Sequence, residues 1–249
     1  MQTAVERTID TMWRRYNEPL SLSDMADTAI LSKFSFSRVF RSLTGTSPGR
    51  FLSAIRLFKA KNLLLETEMS VTEVAYGVGY NSLGTFTSRF TRSVGVSPAR
   101  YRAMSNDGVM DLAPVPDHSR PSGAVSGWLS VPEDAPPVRV YVGAFKDPIA
   151  QGLPSACDVT DGSGPYRLEP VPEGRTFIRA AVVAVENLDP RPWKRKPLYV
   201  GTAESENIRG GRTLELDIHT RPAGPLDLPI LLALPELDCC TVPDVTLAA

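Results

Sequence analysis

The chain has 249 residues, enough for one large or two medium domains. With 42% hydrophobic and 22% charged residues it has the composition of a globular chain with material for real cores. No apolar run approaches ~18 residues, and the first thirty residues carry charge throughout (Glu6, Arg7, Asp10, Arg14, Arg15), so neither a transmembrane span nor a signal peptide is expected. Three cysteines, two of them adjacent (Cys239 and Cys240), are a poor set for a disulfide framework. A cytoplasmic, reducing setting is the default.

The net charge of −1 hides a division. Up to Met104 there are 14 Lys and Arg against 8 Asp and Glu; beyond it there are 13 against 20. Only Pro19, Pro48 and Pro98 of the 22 prolines precede that point. A basic, proline-poor segment followed by an acidic, proline-rich one reads as two domains of different class. Residues 105–123, crowded with Pro, Gly, Ser and Asp, read as the linker. A basic first domain suggests a polyanionic partner.

In chain order, Val5, Ile9, Met12 and Trp13 mark a first helix by their spacing. Leu22, Met25, Ala26 and Ala29 mark a second, with Ser21 and Ser23 as capping candidates. Phe36, Val39, Phe40 and Leu43 mark a third, over Ser32–Thr44, which stops at Gly45. Ser47-Pro48 restarts the chain as N-cap and first helical residue of a long helix over about 48–65, with Phe51, Ile55, Phe58 and Leu63–Leu65 on its apolar side. Then the pattern returns. Val71, Val74 and Ala75 echo Leu22, Met25 and Ala26 at an offset of 49; Phe86, Phe90, Gly95 and Ser97-Pro98 echo Phe36, Phe40, Gly45 and Ser47-Pro48 at an offset of 50. Two copies of helix, tight turn and helix are too few for a solenoid and suggest a tandem helix-turn-helix.

Residues 1–104 resemble the AraC/XylS family of transcription regulators. The resemblance rests on Ala75, Gly79-Tyr80, Phe86, Phe90, Gly95, Ser97-Pro98 and Tyr101-Arg102, and on the first copy of the pattern from Ser21. It implies an all-α unit of about seven helices whose two helix-turn-helix motifs enter consecutive major grooves of double-stranded DNA. The long helix, ~27 Å for ~18 residues at ~1.5 Å each, suits the ~34 Å spacing of grooves on one side of a duplex.

Opposite the apolar stripe of the third helix lie Lys33, Phe34, Ser37 and Arg38, on which the family's recognition positions fall. Arg38 suits bidentate pairing with guanine O6 and N7, and Phe34 a thymine methyl. In the second motif the matching positions are Leu83, Gly84, Thr87 and Ser88; the usual Arg is replaced by Ser88 and an Arg appears one place later, as Arg89. One residue turns a side chain ~100°, so Arg89 is expected to grip phosphate or pack by its stem. The first motif should therefore read sequence and the second mainly anchor. Arg41, Arg92, Arg50 and Arg100 are phosphate candidates; Arg56, Lys59, Lys61, Arg14 and Arg15 read as a solvated face. Ile30 stands in the first turn where the second has Gly79. A β-branched residue disfavours positive φ, so a different turn geometry is expected there.

From Ala124 the period changes to two. Strand-like runs lie at 125–131, 138–142, 166–168, 177–183, 198–200 and 214–218, separated by Pro, Gly and Asp clusters. An antiparallel β-sandwich over 124–221 is expected. The strings from Gly164 to Ala180 and from Gly211 to Ile218 resemble carboxypeptidase-regulatory-like domains, which implies a transthyretin-like sandwich. The apolar stretch within 222–249 should pack on that sandwich or on a partner. His118, His219 and Cys157 make no metal spacing, and no phosphate-cradling or nucleophile motif follows a strand, so no catalytic residue, metal or cofactor is expected. The basic run Arg191–Lys196 around Trp193 reads as a loop.

The sequence thus reads as a transcription regulator, not an enzyme. Its β domain is either an effector-sensing module for a small molecule or an interaction module, the alternative being a scaffold whose sandwich recruits a protein such as RNA polymerase. Monomer and homodimer both stay open.

Overall fold

Every helix of the N-terminal part after the first starts at a device written in its own sequence. A computed structural model describes residues 1–107, 121–187 and 196–229. It contains α1 (Gln2–Arg14), α2 (Leu22–Ala29), α3 (Lys33–Thr44), α4 (Pro48–Glu66), α5 (Val71–Gly77), α6 (Leu83–Val94) and α7 (Pro98–Asp107). Ser21, Ser32, Ser47, Ser70 and Ser82 cap the helices that follow them, each hydroxyl accepting from the backbone N–H three residues on; Ser97 does the same for α7. Ser21 and Ser70 complete capping boxes with Asp24 and Glu73. These backbone bonds hold both carboxylates below their usual range. Gly45 and Gly95 end α3 and α6 in the left-handed conformation. Helix α7 continues to Asp107, into the stretch read as linker.

The turns between α2 and α3 and between α5 and α6 are the same turn, contrary to the expectation from Ile30. Leu31 N–H donates to Ala26 O and Ile30 N–H to Asp27 O; Tyr80 N–H donates to Ala75 O and Gly79 N–H to Tyr76 O. Both pairs satisfy carbonyls that the helix end would otherwise leave open. Gly79 has φ 87° and Ile30 φ 58°. The branched side chain does not abolish the turn: the paired backbone bonds and the packing of the flanking helices outweigh a local strain of ~1–2 kcal/mol.

Cores repeat as well. In the first half Phe36 meets Phe40, and Phe40 meets Phe51 of α4, with ring centroids 5.4 and 5.5 Å apart. In the second, Phe86 meets Phe90, and Phe90 meets Tyr101 of α7, at 5.5 and 5.6 Å. Val5, Ile9, Met12, Met25, Ala26 and Ala29 complete the first core. Helix α4 is shared. Phe51, Leu52 and Ile55 belong to that first core, and Leu57, Ala60 and Leu64 further along are also buried.

Three of the cations assigned to a solvated face are structural instead. Arg56 donates from Nε to Tyr16 O (2.7 Å) and from Nη2 to Glu18 O (2.8 Å), tying the loop after α1 to α4. Lys61 is buried, its ammonium over the Tyr101 ring. Lys59 lies over Trp13 and Tyr16. Long cationic side chains cover apolar surface with their stems, which a charge count cannot show. Arg14 and Arg15 do face solvent, in exposed pairs with Asp10 and Glu18. The unit is completed by residues from beyond the β region: Leu226 and Leu228 pack against the first helical core. The described start of the apolar tail thus packs on the helices, while 230–249, with Cys239 and Cys240, lie outside the described residues. So do His118 and Arg191–Arg195.

The β unit contains β1 (Ser122–Ser130), β2 (Val138–Phe145), β3 (Ala156–Asp161), β4 (Gly164–Pro172), β5 (Gly174–Ala184), β6 (Tyr199–Ile208), β7 (Thr213–Glu215) and β8 (Ile218–Pro222). They follow one hydrogen-bonded path, β3-β2-β5-β6-β8-β1-β4, with β7 also on β1. The ends of the path approach each other, Arg167 N–H of β4 donating to the Asp158 carboxylate of β3, so the sheet is nearly closed and barrel-like. It departs from the all-antiparallel expectation at β1, which pairs in parallel with β7 and β8. The chain returns along the free side of its own first strand in the same direction. Strand β3 was not foreseen, because Asp158 and Asp161 break its apolar alternation. Val125, Leu129, Val140, Val142, Leu168, Ile178, Val182 and Ile218 fill the interior.

Two measurements check these features. Ile30→Gly should raise stability by about 1 kcal/mol by relieving the left-handed strain. Gly79→Ile should cost more than ~2 kcal/mol, since a Cβ there would lie 2.8 Å from Asn17 O as well; chemical denaturation of both variants decides. Tyr166 donates to Leu216 O, and burial, with Asp217 nearby, pushes its phenol up to about 12. The protonated phenol is favoured in the folded state, so this stabilisation is complete below pH ~10 and declines as pH rises through about 12. Tyr166→Phe should flatten that alkaline limb in a pH series of unfolding curves.

Candidate functional site

Helices α3 and α6 occupy equivalent places in the repeat, and each buries one face and bares the other. On α3 the buried residues are Phe36 and Phe40. Lys33, Phe34, Arg38 and Arg41 are exposed and Ser37 is half-buried. Phe34 is 77% exposed, which is unusual for a phenyl ring without a partner surface. On α6 the buried residues are Phe86, Phe90, Ser93 and Val94. Leu83, Gly84, Ser88, Arg89 and Arg92 are exposed and Thr87 is half-buried.

The candidates therefore gather on one stripe per helix, with one exception. Arg89 stands at the register of Val39, which packs toward the first core. Its guanidinium turns to α4 and donates to Ser53 Oγ at 3.3 Å, and Ser53 in turn bonds the Tyr80 hydroxyl at 3.0 Å. Burial lowers the Arg56 guanidinium, and the charge of Arg89 lowers it further, against the opposite effect of Tyr80. Arg89 itself stays exposed, and its bond to Ser53 lies at the surface.

Leu83, Gly84, Thr87, Ser88, Thr91 and Arg92 line an open groove along α6. Thr91 was missed by the sequence reading. Its position, eight residues after Leu83, would have shown it had the stripe been carried another turn. Neither α3 nor α6 contains an acidic residue. The α3 stripe carries three cations, Lys33, Arg38 and Arg41, whereas the α6 stripe, with Arg89 turned aside, carries Arg92. Arg50 and Arg100 are exposed in the first turns of α4 and α7. Both stripes can present hydrogen-bond donors and positive charge to an anionic surface.

Comparison with known proteins bears on this same region. A family described as "Helix-turn-helix domain" matches residues 25–104. The chain is 36% identical over 87 residues to the "HTH-type transcriptional activator RhaS" of Enterobacter sp. (strain 638), covering 35% of this chain and 31% of that protein. It is 30% identical over 94 residues to the "Probable transcription factor PqrA" of Proteus vulgaris, covering 38% of this chain and 76% of that one. Among solved structures it is similar to the DNA-binding domain of AdpA, a global transcriptional factor crystallised with a target DNA. That likeness has 33% identity and a TM-score of 0.40, and covers 41% of this chain and 93% of that one. Against RhaS and two further full-length relatives, the match spans 27–31% of their length. The chain belongs, through its helical unit, to the AraC/XylS family of helix-turn-helix proteins, a family of transcription regulators and not of enzymes.

Proposed function

We propose that the chain is a sequence-specific regulator that binds double-stranded DNA by placing α3 and α6 in consecutive major grooves. The observation that carries this reading is the pair of bared stripes at equivalent places in the repeat, rich in hydroxyls and cations and free of carboxylates. Helix α4, 19 residues long, spans ~28 Å at ~1.5 Å per residue, commensurate with groove spacing. The match of this unit to the transcriptional activator RhaS and the probable transcription factor PqrA, at 36% and 30% identity, supports this use.

In this reading Arg38 pairs with guanine, Phe34 packs on a thymine methyl, and Lys33, Ser37 and Arg41 contact neighbouring bases or phosphates. On α6, Arg92 takes a phosphate, while Leu83, Gly84, Thr87 and Ser88 line the base edges. The β unit serves as an effector-sensing or interaction module in a transthyretin-like sandwich architecture. Its support is that it holds its own apolar interior and so can respond as a unit.

Binding should weaken steeply with salt, since each neutralised phosphate releases counterions. Arg41→Ala should weaken all duplexes alike and lower the slope of log K against log salt by about one. Arg38→Ala should leave non-specific affinity nearly intact but lose about 1–3 kcal/mol of discrimination at one guanine; equal losses on specific and random duplexes would contradict the assignment. For the β unit, thermal shift of the full chain against a metabolite panel should show a saturable rise in midpoint if it senses a ligand.

A further inference from the structure

Helix α6 is poorly equipped to read bases by hydrogen bonding. Bidentate pairing needs Arg or Lys for guanine and Asn or Gln for adenine. Along the bared stripe of α6 stand Leu83, Gly84, Thr87, Ser88, Thr91 and Arg92. Arg89 stands one residue off that stripe and bonds Ser53 Oγ. Thr91 spends its hydroxyl on Thr87 O, at 2.8 Å within the helix, leaving its methyl as the free part. What remains is an open groove walled by Leu83 and threonine methyls. Gly84 is part of its lining, and an added Cβ there would meet only Ser82 Oγ, at 3.8 Å. Fifty residues earlier, at the matching place on α3, a phenyl ring projects: Phe34. The two reading helices thus differ in shape as well as charge, one ridged and cationic, the other hollow and apolar.

On this basis we propose that α6 is not only an anchor but a reader of pyrimidine C5-methyl groups, the hollow over Gly84 receiving a thymine methyl. The inference rests on the DNA-binding reading above. The thymine methyl is the apolar feature that the major groove of B-DNA offers, and an apolar notch among hydroxyls matches it. Arg92, at the far end of the stripe, supplies the phosphate contact that holds the helix in register. The operator should accordingly be composite. One half carries a required guanine opposite α3, and the other is a thymine-bearing half whose hydrogen-bonding pattern matters less than its methyls.

The test begins by selecting duplexes from a random pool with the full chain, then making chemical substitutions in the enriched site. Deoxyuridine in place of thymine removes the methyl and nothing else. In the α6 half it should weaken binding about four-fold at one position, the worth of one buried methyl group. In that half, 5-methylcytosine should bind better than cytosine. Gly84→Ala fills the space over the glycine; it should abolish the thymine-over-deoxyuridine preference, and the thermal midpoint should hold or rise, since alanine is the better helix former. A four-fold preference that survives Gly84→Ala overturns the assignment of the hollow. Enrichment of a guanine half alone, with the other half random and indifferent to deoxyuridine, overturns the inference and leaves the DNA-binding reading standing. Failure to enrich any sequence removes both.

Discussion

The helical unit depends on a single helix being buried along nearly its whole length. Because α4 has Phe51, Leu52 and Ile55 in the first core and buries Leu57, Ala60 and Leu64 further along, two helix pairs that could each have been independent become one body. With those residues buried, and with Arg56, Lys59 and Lys61 laid against carbonyls and rings of other elements, α4 is covered by neighbours along most of its length. The covering is fastened at the ends. Arg56 holds the loop after α1 through Tyr16 O and Glu18 O, and Arg102 of α7 holds the far end through Leu64 O and Met69 O. Both guanidinium groups are partly buried against carbonyls, where charge-assisted bonds are stronger than neutral ones. The spacing of α3 and α6 is therefore a property of the core, which is what a ruler for consecutive grooves requires.

The residues by which the family is recognised and the residues proposed to touch DNA are separate sets. Ala75, Phe86, Phe90 and Tyr101 are buried, Gly79 and Gly95 sit at positive φ, and Ser97 caps the last helix. Arg102 is a clamp. They specify the scaffold and carry no sequence preference. In the proposed reading that preference belongs to the bared faces, where the two halves have diverged: Phe34 against Gly84, Arg38 against Ser88, Arg41 against Thr91. A duplication that preserves its cores while its surfaces drift gives one protein two unlike reading heads.

The helical half was legible because period, caps and stops agree at every level: Ser before each helix after the first, glycine after α3 and α6, aromatic residues on one face. Ile30 was misread because local preference was weighed without the pair of backbone bonds that the turn secures. Arg56 and Lys61 were misread because a cation's stem and head have different fates, and only packing shows which one decides. In the β half the buried strands announced themselves, but β3, whose Asp158 ties it to β4, did not, and the parallel pairing of β1 is a long-range choice that no local pattern encodes. Of the two bared stripes, the exposure of Lys33, Phe34, Arg38 and Arg41 on α3 follows from the apolar period of Phe36, Val39, Phe40 and Leu43. On α6 the bond of Arg89 to Ser53 was not legible, for its partner stands thirty-six residues away.

The chain leaves the helical unit after α7 and comes back to it at Gly224, where Leu226 and Leu228 join the helical core. In topological terms the β unit is an insertion, a long loop with both ends moored in the same body. A chain cut after Asp107 would be missing part of that body's own hydrophobic lining, and a single nick between the strands would leave the two pieces joined through it. Closing so long a loop costs little more entropy than closing a short one, because the cost grows only with the logarithm of length. An entire domain can therefore be hung on the reader at small thermodynamic expense.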